Sequence, residues 1–260
     1  MPAHSRPSCQ PTVYTRLLLL LLSAPACAAS ITAVTTEFPP FQSAQPQPWG
    51  IALETARQLA KANGDTLDVR FLPWARAYQM AETTPGLMIF CLARTPQREA
   101  QFGWIGEIAP NDVTVWRLAT RQEVSARNLE EARVWQLGAT AGDVKMQYLL
   151  QQGFVPGQNL QESSDDLSNI RKLFARRIDL LPFSNHIVLR YRSAQAGLDS
   201  RLLQPAFTLP GLSQPLYLAF SPGTPATQLA RYQASFRQLQ SRGWIQRLTA
   251  RYHQATLQSQ

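Results

Sequence analysis

Short β-rich runs alternate with helix-periodic stretches from Ile31 onward, pause near residue 110, and then alternate again. That doubled rhythm narrows the possible folds more than any single motif. Residues 31–36 read as a strand. Residues 50–63 read as a helix, with Ala52, Ala56, Leu59 and Ala60 on one face and Asn63-Gly64 as its stop. A strand at 67–72, a helix at 74–81 and a buried strand at 86–92 follow. Thr95-Pro96 then predicts a helix start, Thr as N-cap and Pro at the first helical position. Beyond Ala109-Pro110-Asn111-Asp112, strands at 113–119, 134–139 and 178–183 bracket helices at 143–152 and 167–176. A strand at 216–220 and helices at 227–240 and 244–252 close the chain. Strand–helix alternation of this kind predicts α/β architecture with mostly parallel sheets.

The N-terminus is read separately. Arg6 and Arg16 precede the apolar run Leu17–Leu22, and Ser23-Ala-Pro-Ala-Cys-Ala-Ala-Ser30 supplies small residues. This is the pattern of a cleavable secretory signal peptide over residues 1–29, cut after Ala28 or Ala29. The run falls short of the roughly 20 apolar residues needed to cross a bilayer. Cys27 could instead carry a lipid, but Ala24-Pro-Ala fits a lipoprotein signal poorly, so a periplasmic protein is expected.

Composition bears on what the chain binds. The 25 Lys and Arg against 17 Asp and Glu give a formal charge of +8, and loss of residues 1–29 leaves 23 against 17. The basic residues are scattered, apart from Arg171-Lys172 with Arg176-Arg177 and Arg190 with Arg192. At helical spacing these read as solvated faces, so no nucleic-acid partner is expected. Cys91 alone remains after the leader, so no internal disulfide can form, and in an apolar run it reads as a small buried hydrophobe.

Catalytic signatures are missing. No H-E-x-x-H, C-x-x-C, G-x-S-x-G, phosphate loop or G-x-G-x-x-G occurs, and His186 and His253 read as surface residues. No metal or cofactor is expected. Two places instead suit a small anion. Arg98 would lie in the first turn after Thr95-Pro96, where backbone N–H groups and a guanidinium fork favour a carboxylate. Gly142-Asp143, opening the helix after 134–139, is the counterpart in the second half. Phe38, Phe41 and Trp74 follow the first two strands, at the carboxyl ends where such folds bind ligands.

Phe38-Pro-Pro-Phe41, Gly50, Trp74-Ala-Arg76, Thr95-Pro-Gln-Arg98-Glu, Phe102-Gly-Trp104, Arg177-Ile-Asp179, Leu216-Tyr-Leu-Ala-Phe220 and Arg242-Gly-Trp-Ile245 occur in an order and spacing that resembles the bacterial extracellular solute-binding proteins of family 3. These are the periplasmic amino-acid-binding components of ABC transporters. The likeness covers nearly the whole chain after the leader. It implies a type II periplasmic binding protein fold, two lobes with two hinge crossings, near 109–113 and 216–220. Lobe one would be 30–110 with 221–260, and lobe two 112–215. It implies a monomer that captures a small polar, carboxylate-bearing, amino-acid-like solute and presents it to a membrane permease.

The ligand-binding set carried over from the resemblance is Phe38, Trp74, Arg76, Ala93, Thr95, Arg98, Thr140, Asp143 and Ser184. Phe38 would be the aromatic platform, Trp74 a second wall and Arg98 the carboxylate clamp. Backbone N–H groups of Ala93-Arg94-Thr95 would assist, with Thr95 as helix cap. Two positions depart from the family. Ser184 stands where an acid usually meets the α-amino group, and Asp143 where a small hydroxyl residue usually assists the carboxylate. An ionised Asp143 would repel a bound carboxylate by a few kcal/mol at an effective dielectric near 20. It could instead cap its helix or meet a cation. Cyclohexadienyl dehydratases share the scaffold, with Asp143 or Glu37 as the candidate general acid. A free-standing sensory binding module is the other alternative.

Overall fold

Six successive buried residues, Met88 to Ala93, form the strand around which a computed structural model of the chain is arranged. The structure describes residues 30–44, 47 and 49–258, and the side chains up to Tyr252. The expected leader with Cys27, and the side chain of His253, lie outside the described residues.

In the first lobe, β1 (Ser30–Thr35), β2 (Thr66–Phe71) and β3 (Met88–Ala93) pair in parallel, joined by α1 (Ile51–Ala62) and α2 (Trp74–Thr83). Parallel neighbours need such crossovers. The chain then runs through β4 (Gly103–Ala109) into the second lobe and returns as β10 (Leu216–Phe220). This last strand inserts between β3 and β4, antiparallel to both, giving the order β2-β1-β3-β10-β4. Burial on both faces explains β3: Met88, Ile89, Phe90 and Leu92 have no exposed surface. Each is worth about 1.5–3 kcal/mol of transfer free energy. The terminal helices α7 (Ala226–Ser241) and α8 (Trp244–Gln258) complete this lobe, α7 against β4 and α8 against α1.

In the second lobe, β5 (Val113–Leu118) lies between β8 (Leu181–Ser184) and β9 (Leu203–Thr208), antiparallel to each. The parallel pair β6 (Leu137–Thr140) and β7 (Leu160–Ser163) joins this sheet through a Leu137–Leu180 bridge. The helices are α3 (Leu129–Ala132), α4 (Val144–Gln151), α5 (Asp166–Phe174) and α6 (His186–Gln195). Parallel pairing thus occurs where a helix links the strands. The antiparallel pairs all involve β5 or β10, the strands next to the crossings between lobes.

Three local expectations shift. Thr95-Pro96 opens no helix: residues 96–101 form consecutive tight turns, Arg98 N–H to Thr95 O and Gln101 N–H to Arg98 O. Only nine residues separate β3 from β4, too few to repay helix nucleation. The strand expected from Val134 begins at Leu137, because 134–136 extend a turn from α3 and Val134 is 82 % exposed. Arg192 is not on a solvated face but buried.

The lobes touch. One apolar cluster runs from Phe38, Phe41 and Ala93 into Phe183, Val188 and Leu189. Arg192 Nη1 donates to Glu37 O at 2.8 Å across the same boundary. Gly142, with φ of +69°, brings its backbone against α2, where an added Cβ would sit 3.1 Å from Ala75 Cβ. A side chain there meets both a strained backbone and a wall.

Candidate functional site

The carboxyl ends of β1, β3, β6, β7 and β8 converge on a cavity between the lobes that admits centres of water-sized molecules over about 50 Å³. Loops leaving parallel strands at that end supply most of its wall, as expected for open α/β sheets. Phe38, Trp74, Ala93, Arg98, Thr140, Asp143 and Ser184, all expected from the sequence, line it.

Phe38 is held by a tight loop. Its N–H donates to Gln42 O and its carbonyl accepts from Phe41 and Gln42, with the Phe38 and Phe41 rings stacked 5.7 Å apart. Gly50 makes that loop possible: with φ of +126°, an added Cβ would lie 2.4 Å from Phe41 O. Trp74 opens α2 and stacks at 6.1 Å on Tyr78.

Tyr78 in turn carries Arg98, whose guanidinium carbon is 4.5 Å from the ring centroid. Arg98 is 3 % exposed. Its Nε donates to Tyr78 Oη at 3.3 Å and its Nη1 to Ala93 O at 3.4 Å, while Nη2 has no hydrogen-bond partner. No carboxylate lies within ion-pair distance of it among the described residues. A buried charge without a counterion costs several kcal/mol, so this group favours an incoming anion.

The opposite wall is built on α4. Asp143 is its N-cap, accepting from Lys145 N–H at 2.7 Å. Its other oxygen accepts from Lys145 Nζ at 2.9 Å, and the same ammonium donates to Ser184 Oγ at 3.3 Å. Lys145 is 4 % exposed. Burial opposes its charge, but Asp143 and Asp166 outweigh that and raise its pKa above the ordinary lysine value, with Arg98 working against them. Asp143 therefore both caps its helix and meets a cation. The repulsion expected toward a carboxylate is offset inside the protein.

The neighbouring acids are also engaged. Thr140 Oγ1 donates to Asp166 Oδ1 at 2.7 Å and accepts from Asn169 Nδ2. Asp165 caps α5, accepting from Ser168 N–H and Oγ and from Ser164 Oγ. Burial raises the Asp165 carboxyl pKa, but those hydrogen bonds and the charge of Arg192 more than reverse it, leaving it below the ordinary value. Glu37 accepts from Ala44 N–H at 2.7 Å. Cys91, also in the wall with φ of +58°, donates to Gln42 Oε1 at 3.1 Å. Burial pushes its thiol far up, so it remains protonated and unreactive.

Two expected site residues lie elsewhere. Arg76 is exposed: two positions after Trp74 on a helix, it points away from the cavity. Thr95 is buried but faces a separate hollow beside Tyr78, Glu82 and Gln147. With no helix to cap, it also lacks the role expected of it. Sequence reasoning missed Lys145, Gln42, Asn111, Asp165, Asp166 and Arg192. Lys145 had a signal, since it shares a helix face with Leu149, which is buried. Among the described residues no group of three or more His, Cys, Asp or Glu could hold a metal ion, and no helix is long and apolar enough to cross a membrane.

No known family profile matches the sequence, and no curated protein matches it. Solved structures do. A histidine kinase sensor domain with similarity to periplasmic binding proteins superposes with a TM-score of 0.75 at 18 % identity, over 86 % of this chain and 96 % of that one. An ancestral arginine-binding protein bound to arginine gives 0.73 at 14 %, over 86 % and 98 %. A substrate-binding protein of an ABC uptake transporter from Streptococcus pneumoniae, with bound histidine, gives 0.73 at 16 %, over 86 % and 92 %. The chain has the two-lobed fold of periplasmic binding proteins.

Proposed function

We propose that the protein is a non-catalytic periplasmic solute-binding protein that encloses a small carboxylate-bearing solute between its lobes and presents it to an ABC permease. The observation that carries this reading is Arg98: a buried guanidinium with an unpartnered N–H and no protein carboxylate beside it, in a cavity between two lobes. The similar structures include amino-acid-binding proteins of ABC transporters, which supports the transport reading. Lobe one is 30–110 with 221–260 and lobe two 112–215, hinged near 109–113 and 216–220. The chain works as a monomer after removal of residues 1–29. Closure is a population shift: the solute binds the closed form better, and the permease reads that form.

An enzymatic reading is less well supported. Both acids considered for proton donation are engaged, Asp143 by Lys145 and Glu37 by the Ala44 amide. The test is a thermal-shift screen of small carboxylates against the intact protein and Arg98→Ala. At 100 times Kd a true ligand stabilises by about 2.7 kcal/mol. Arg98→Ala should lose that shift, and a shift of the same size in the variant would reject the assignment.

A further inference from the structure

Three buried cations line the cavity. Arg192 is held by Glu37 O and lies within the electrostatic reach of Asp165, Lys145 is paired with Asp143, and Arg98 has no counterion among the described residues. Lys145 Nζ already holds Asp143 at 2.9 Å and Ser184 at 3.3 Å, and it lies close enough to Arg98 to feel its charge. A second ammonium brought to Asp143 would share one carboxylate with Lys145. The other acids in the wall, Glu37, Asp165 and Asp166, are half-buried, whereas Arg98 and Lys145 are almost fully buried. Asp143 is half-buried like the other acids, and each of these four carboxylates already accepts a hydrogen bond from the protein, whereas the Arg98 charge is left without a counterion.

The unfilled hydrogen-bonding groups point the same way. Among the wall's side chains, the buried polar atoms without partners are the donors Gln42 Nε2, Trp74 Nε1, Arg98 Nη2 and Arg192 Nε, against one acceptor, Asn111 Oδ1. The unfilled capacity among these buried atoms is thus mostly that of donors. Groups left buried without partners cost free energy, and a ligand rich in oxygen acceptors removes that cost.

We propose that Lys145 takes the place of a ligand amino group, so that the cavity selects a small carboxylate bearing oxygen instead of nitrogen on the adjacent carbon: a 2-oxo or 2-hydroxy acid. Arg98 grips the carboxylate. The neighbouring oxygen accepts from Lys145 Nζ or Ser184 Oγ. An α-amino acid of the same skeleton is rejected because its ammonium meets the Lys145 ammonium. This specificity rests on the carboxylate-binding function proposed above.

Matched ligands test it on the intact wild-type protein: alanine against pyruvate and lactate, and glutamate against 2-oxoglutarate, by calorimetry and thermal shift. The oxo or hydroxy acid should bind more tightly than its amino partner by about 100-fold or more, the scale on which juxtaposed like charges discriminate. Equal or tighter binding of the amino acid overturns the proposal and leaves the carboxylate-binding function standing. Failure of every carboxylate in the panel to bind overturns both. Lys145→Ser adds a gain-of-binding arm: with Asp143 released, alanine or glutamate should now shift the melting temperature. The wild-type comparison decides whether or not that variant folds.

Discussion

Arg98 and Lys145 are cations of nearly equal burial in one cavity, one from each lobe, and they are neutralised in opposite ways. Lys145 has Asp143 two residues away and a hydroxyl from β8, and its charge is satisfied by the fold. Arg98 has an aromatic face, a phenol oxygen and one carbonyl, and its charge has no counterion among the described residues. The lesson is that equal burial does not mean equal compensation: one cation is paired with a carboxylate and the other has no counterion.

Lys145→Met should produce the largest effect. It strands Asp143 in a site where its side chain is 17 % exposed, and breaking such a pair costs about 3–5 kcal/mol. Chemical denaturation should show that loss, and pairing the change with Asp143→Ser should recover most of it. Equal stability of the single variant would mean that the pair is not neutralised as described.

Gly142→Ala comes next. The left-handed backbone costs a non-glycine residue about 1–2 kcal/mol, and the new methyl presses on Ala75 of the other lobe. Apparent affinity should fall, with a lower melting temperature.

Asp165→Ala removes an N-cap at a cost of about 1 kcal/mol. The sign of its pH dependence follows from its lowered folded pKa. Its contribution is complete above the unfolded value near 3.9 and disappears as pH falls through the lower folded value. Asp165→Asn should therefore flatten the acid limb of the stability profile below about pH 4.

The smallest effect should be Arg98→Met on the protein alone. Unlike the lysine change, it removes an uncompensated charge, and stability should stay level or rise by about 1 kcal/mol. A loss as large as that of Lys145→Met would erase the contrast between the two cations.

The sequence announced most of the fold wherever apolar periodicity was strong. Residues 216–220 and the helices at 50–63 and 227–240 read almost as they form, the strand because it is an apolar run buried on both faces and the helices because one face of each is buried. The strands β4, β7 and β9 did not stand out, since they mix exposed and buried positions without a continuous apolar run. The turn at Thr95-Pro96 carried true helix-start residues but too little chain to use them. In the site, Phe38, Trp74 and Arg98 were legible from motif and position. Asp143 was legible as a problem and not as its solution, because Lys145 reads as an ordinary surface lysine until Leu149 fixes the helix face. Arg192 belonged to a basic run, and only the fold shows that it reaches Glu37.

The position of β10 has a consequence for the order of assembly. The second lobe's strands, β5 to β9, come from one continuous stretch of chain, whereas the first sheet is completed by residues 216–220. Until those residues are in place, β3 and β4 have exposed edges where a neighbour belongs. The half of the protein that is synthesised first is thus the half that must wait, and a polypeptide cut short before Leu216 would carry a finished second lobe beside an open seam.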